Sequence, residues 1–333
     1  MSHNLQEETK ASKDKKSNIK SLLIKVSVSA LFIFVLIKII KIDINSFIDQ
    51  IKNLDPLFFS LACIFALICI LTNTYRWWII TKVFKYNFSY SRALIWYFEG
   101  MFANNFLPSN IGGDALRAYH LANTNFQDNS DNTWLNAGLT VFLERIFGFI
   151  MMFFFLPFGM LALYFFKLDS LIPENLLPVL ILLSFCPFIV IASYKLWLNL
   201  PIPLKIFQKI KLAVKAFAEG KKEVFIVIAW TFITHLSLMG LNICSAFASG
   251  LGFNEIPAWY WLLIIPFGTL SSFIIPAMKG VGAKELTYIF LLGLLGIGKE
   301  QSFVVAIAVF LATTISTVPG VIILRRYFNL IKV

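Results

Sequence analysis

Apolar residues fall in long runs along this chain, parted by short polar stretches where lysines and arginines gather. Runs at about 22–40, 56–80, 133–166, 175–194, 223–249 and 302–324 are each long enough, at about 1.5 Å rise per residue, for a helix that crosses a bilayer. Two further runs are broken. The run 93–107 stops at Pro108-Ser109-Asn110-Ile111-Gly112-Gly113, and 259–275 stops at Pro276-Ala277-Met278-Lys279-Gly280-Val281-Gly282, before a helical pattern resumes after each. The pattern predicts an all-α polytopic membrane protein with about six spanning helices and two re-entrant broken-helix hairpins related as an inverted repeat.

Composition sharpens this picture. Residues are 58% hydrophobic and 14% charged, against about 25% charged in soluble domains, and 35 are Phe, more than a water-soluble surface and core could accommodate. A soluble enzyme is excluded. The net charge of +11 is scattered through the interruptions and not laid along one face, so the expected partners are membrane lipids, with a homo-oligomer possible and nucleic acid excluded. Cys63, Cys69, Cys186 and Cys244 lie inside apolar runs, and His120 and His235 stand far apart, so no metal site and no cofactor is expected.

Charge also orients the chain. Residues 1–20 are polar and lysine-rich and read as a disordered tail, with the transmembrane domain over 21–333. If each broken run returns to the side it came from, the cytoplasm receives the N-terminal lysines, then Lys82, Lys85 and Arg92, the lysines of 203–222, and finally Arg325, Arg326 and Lys332. Both termini are then cytoplasmic in a multi-pass cell-membrane protein. Segment 203–220 carries Ile206, Phe207, Ile210, Val214 and Phe217 on one helical face, the pattern of an amphipathic helix lying on the inner leaflet.

The breaks carry the candidate chemistry. Aligned on Pro108 and Pro276, each has a glycine four positions on, Gly112 and Gly280, and a charge nine positions on, Arg117 and Glu285. Paired Gly/Pro interruptions in two halves point to a transporter's binding site, because irregular backbone at membrane depth must line protein or a wet cavity. After Gly112-Gly113 the resuming helix offers unpaired N–H groups as an anion seat, with Asp114 as its expected N-cap. Arg117 supplies a bidentate fork for phosphate, which Lys279 or Lys284 could supplement from the second break. Glu144 and Arg145 are adjacent charges inside an apolar run and point about 100° apart, so each needs its own partner, with Arg117 and Glu285 the candidates. Arg76, beside Trp77 and Trp78 near the end of its run, is expected to reach the headgroup layer.

The stretches NNFLPSNIGGDALRAYHLA, FLERIFGF and PAMKGVGAKELTYIFLLGLLGI together resemble the flippase-like family, also described as the lysylphosphatidylglycerol synthase transmembrane region, over about residues 20–330. Asn105, Leu107, Pro108, Gly112, Gly113, Asp114, Arg117, Glu144, Arg145, Pro276, Gly280, Gly282 and Glu285 match its pattern. Ser109-Asn110 and Ala283-Lys284 depart from it, the latter replacing an aliphatic-Arg pair. The resemblance implies handling of polar lipids: a flippase moving an anionic or polar-headgroup lipid between leaflets of a bacterial or archaeal cytoplasmic membrane. The synthases' aminoacyl transfer belongs to a further soluble domain that these residues do not supply, so an enzyme is not expected. Alternatives are a non-catalytic scaffold of an envelope-lipid assembly complex and a membrane-embedded transferase using a polyprenyl-phosphate donor with Asp114, Glu144 or Glu285 as base. No GxxxxGK[ST] sequence is present, so active transport would couple to ions or to the lipid gradient.

Overall fold

The computed structural model describes residues 43–105, 112–124, 133–165, 219–274 and 282–321, with isolated positions between 178 and 215. Among these the fold is helical: α1 (Ile44–Lys52), α2 (Pro56–Val83), α3 (Tyr90–Asn104), α4 (Gly112–Ala122), α5 (Thr133–Phe165), α6 (Lys221–Ala248), a 3-10 turn (Ala258–Tyr260), α7 (Trp261–Ile274), α8 (Ala283–Leu294) and α9 (Lys299–Ile315). Local chemistry sets the starts. Asp55 caps α2 by accepting from the Leu57 and Phe58 N–H groups at 2.8 and 3.1 Å, and Pro56, which lacks an N–H, takes the first helical place.

Among the described residues four helices are long and apolar enough to cross a membrane: Pro56–Val83, Trp134–Phe165, Lys221–Ala248 and Lys299–Val321. The expected spans at 22–40 and 175–194, the tail and most of the amphipathic segment 203–220 lie outside the described residues. The arms flanking the two breaks are shorter, at 15 and 11 residues for α3 and α4 and 14 and 12 for α7 and α8. At about 1.5 Å per residue none reaches the roughly 30 Å of a hydrocarbon core.

Each pair of arms packs on itself. A Cβ on Gly113 would stand 1.9 Å from the Gly100 carbonyl oxygen, so the backbones of α3 and α4 touch where only glycine fits. In the second pair a Cβ on Gly268 would meet the Tyr288 ring at 3.0 Å, a side-chain contact between α7 and α8. The pairs belong to different apolar clusters. Trp96, Tyr97 and Leu121 of α3 and α4 pack with Ile70 and Trp77 of α2 and Ala137 and Val141 of α5. Ile264 and Tyr288 of α7 and α8 pack with Ala62 and Ala66 of α2 and Leu156 and Leu163 of α5. The two pairs therefore occupy opposite stretches of the same two long helices.

Candidate functional site

Five charged side chains from α2, α4 and α5 meet beside the first pair of arms. Glu144 is buried in α5, and its Oε1 accepts from Arg76 Nη2 at 3.1 Å and from the Tyr97 hydroxyl at 3.0 Å. Its Oε2 accepts from Arg117 Nη1 at 2.7 Å. Arg117 Nη2 donates to Asp114 Oδ1 at 2.6 Å, and Arg145 closes on the same carboxylate through Nε at 2.9 Å and Nη2 at 3.1 Å. The Arg117 guanidinium lies over the Tyr97 ring at 4.3 Å and 5.1 Å from the Trp77 ring, and only 2% of the residue is exposed. Thr231 of α6 accepts from Arg76 Nη1 at 3.3 Å, so the network ties five helices together.

Among the described residues the cluster sets three guanidiniums against two carboxylates, and the buried Arg76 Nε–H has no acceptor. Enclosed charge is costly unless paired, which is why each buried ion of the cluster is held by one of opposite sign.

Several expectations are revised by these contacts. Arg76 is not at the end of its helix: α2 continues to Val83, which leaves Arg76 two turns inside it, 4% exposed and paired with Glu144. Asp114 does not cap its helix, because both its oxygens turn to Arg117 and Arg145. The Gly113 N–H is satisfied instead by Asn104 Oδ1 at 2.7 Å, so that amide is engaged by protein. Gly113 itself serves close packing against Gly100.

Glu144 takes Arg117 as expected and Arg76 as well, while Arg145 takes Asp114. Glu285, the expected partner of Arg145, has no ion pair with it among the described contacts. Its carboxylate accepts from the Gly282 N–H at the start of α8, where Gly282 has φ +98°, a conformation that suits glycine. The packing of the two arm pairs at opposite stretches of α2 and α5 keeps Glu285 away from Arg117.

Lys284 lies 5.6 Å over the Tyr288 ring with no ion pair among the described residues. Asn105 closes α3 and donates to Thr317 Oγ1 at 2.8 Å, fastening the first break to the end of the last span. Pro108, Lys279 and Gly280 lie outside the described residues.

Sequence reasoning passed over Tyr97, Glu99, Gly100 and Asn104. An acid within the apolar run 93–107 was the available signal for Glu99, whereas Asn104 and Gly100 are recognisable only once α4 folds back on α3.

Residues 22–320 match the family described as the lysylphosphatidylglycerol synthase TM region. A UPF0104 membrane protein of Methanothermobacter thermautotrophicus is 24% identical over 307 residues, covering 80% of this chain and 83% of the relative. A second UPF0104 membrane protein, from Methanocaldococcus jannaschii, is 30% identical over 92 residues, which span 27% of this chain and 27% of that relative.

Proposed function

The chain belongs to the lysylphosphatidylglycerol synthase TM region family of multi-pass membrane proteins, and from that premise we propose that it moves a lipid with an anionic or polar headgroup between leaflets. The observation that carries this reading is the cluster of Arg76, Arg117 and Arg145 against Asp114 and Glu144, at whose centre Arg76, Arg117 and Glu144 are buried.

In this reading the two arm pairs are re-entrant hairpins, one from each face of the membrane. Their short arms and their seats at opposite stretches of α2 and α5 support that arrangement. A phosphate presents two oxygens to a guanidinium edge much as a carboxylate does. A headgroup can thus take Arg117 from Asp114 or Glu144, with Tyr97 and Trp77 holding the guanidinium plane during the exchange. The acyl or prenyl chains remain in lipid, and the freed carboxylate stays paired to Arg145 or Arg76.

The pairing of both Arg117 terminal nitrogens favours a second reading, in which the cluster only ties helices together and the protein is a scaffold. Mass spectrometry of lipid retained by detergent-purified protein separates the two. Transport requires an anionic lipid retained by the native protein and lost from Arg117→Gln at unchanged yield. A protein that retains no lipid, or the same lipids in both forms, supports the scaffold.

A further inference from the structure

Beside the arginine cluster the first hairpin holds a second polar contact that the transport reading leaves unused. Glu99 of α3 is wholly enclosed, at 0% exposure, and its Oε1 has no hydrogen-bond partner among the described residues. Its one charged contact is His120 of α4, whose Nε2 stands 2.8 Å from Oε2. The imidazole is stacked on Trp96 at 5.6 Å with rings 2° from parallel, and its side chain is 16% exposed.

The charged and titratable groups on the elements packed here include Tyr90, Arg92 and Tyr97 on α3, Asp114, Arg117 and Tyr119 on α4, Glu144 and Arg145 on α5, Tyr75, Arg76 and Lys82 on α2, and Tyr86 between α2 and α3. The described ion pairs of Arg76, Arg117 and Arg145 run to Asp114 and Glu144, which leaves Glu99 to His120.

We propose that Glu99 and His120 form a proton-binding site that couples lipid movement to proton movement, an inference that rests on the transport reading. The pair holds one proton in either arrangement: a carboxylic acid facing neutral imidazole, or a carboxylate facing imidazolium. Removing that proton leaves an enclosed carboxylate without a cation, which is unfavourable until water reaches it.

Glu99 directly precedes Gly100, whose backbone touches Gly113, and His120 lies one turn beyond Arg117. Parting the two arms therefore separates Glu99 from His120 and loosens the helix that bears Arg117. Proton release and arm opening favour each other by linkage. In each cycle one proton is taken from water on one face and released on the other, and the pair returns to its starting form.

The test uses the full chain in vesicles containing fluorescently labelled phosphatidylglycerol and a trapped pH dye, with potassium and valinomycin clamping the membrane potential. One proton per lipid allows the steady-state ratio of label between leaflets to shift by up to about tenfold for each unit of pH gradient. The native protein is expected to show a severalfold shift, with dye-reported proton movement that depends on the labelled lipid. In Glu99→Gln and in His120→Gln the shift is expected to vanish. Native translocation with no shift, or a native-sized shift in both variants, overturns the coupling while leaving transport intact. No translocation by the native protein under any gradient removes the transport reading and the coupling together.

Discussion

Asp114 and Glu285 stand at the third position of the helices that resume after the two breaks, yet their carboxylates face different partners. Glu285 folds back onto the Gly282 N–H and starts its own helix. Asp114 instead turns both carboxylate oxygens to Arg117 and Arg145, while Asn104, on the opposite arm, accepts from the Gly113 N–H. A carboxylate near a helix start is drawn to the strongest donors within reach. Beside the first break those are guanidiniums, and beside the second they are backbone amides. The two halves share an outline, but the described charge network belongs to the first.

The largest expected contrast concerns glycine. Gly113→Ala drives a Cβ into the Gly100 carbonyl and should destroy folded yield, whereas Gly268→Ala meets a ring edge at 3.0 Å and should leave yield nearly native; size-exclusion profiles in detergent report both. Next, Glu144→Gln leaves Arg76 and Arg117 without their shared carboxylate and should cost about 3–5 kcal/mol, read as a lowered unfolding midpoint. Replacing Arg76 with Gln as well should recover part of that loss, since it removes one of the stranded cations.

Asn104→Ala orphans the Gly113 N–H and is expected to cost about 1–3 kcal/mol by the same measurement. Glu285→Ala removes a helix-start contact and should cost only about 0.5–2 kcal/mol. If Glu285→Ala proved more damaging than Glu144→Gln, the contrast between the halves would be reversed.

Much of the outline was legible in the residues. Four long apolar runs appear as helices within a few residues of their expected ends, and both Pro/Gly interruptions part helices that pack on each other. Arg117 and Glu144 were recognisable because an ion inside an apolar run demands a partner. What escaped depends on distances between helices. Arg76 was misplaced because three further residues of α2, up to Val83, move it away from the helix end. Glu285 was matched to Arg117 on the alignment of the prolines, but alignment on the helix starts sets Asp114 against Glu285 instead. No periodicity shows that Asn104 would accept from the Gly113 N–H, since that follows from the arms meeting at Gly100.

Translocation of labelled phosphatidylglycerol in vesicles by the native chain and by the double variant Arg117→Gln/Glu144→Gln tests the central claim most directly. The double variant removes one cation and one anion together, so the cluster's net charge is unchanged while the Arg117 guanidinium fork is lost. The expected result is rapid exchange of label between leaflets by the native protein, and exchange at the protein-free rate by a double variant that still elutes as folded protein. Native-rate exchange by that folded variant would contradict the account.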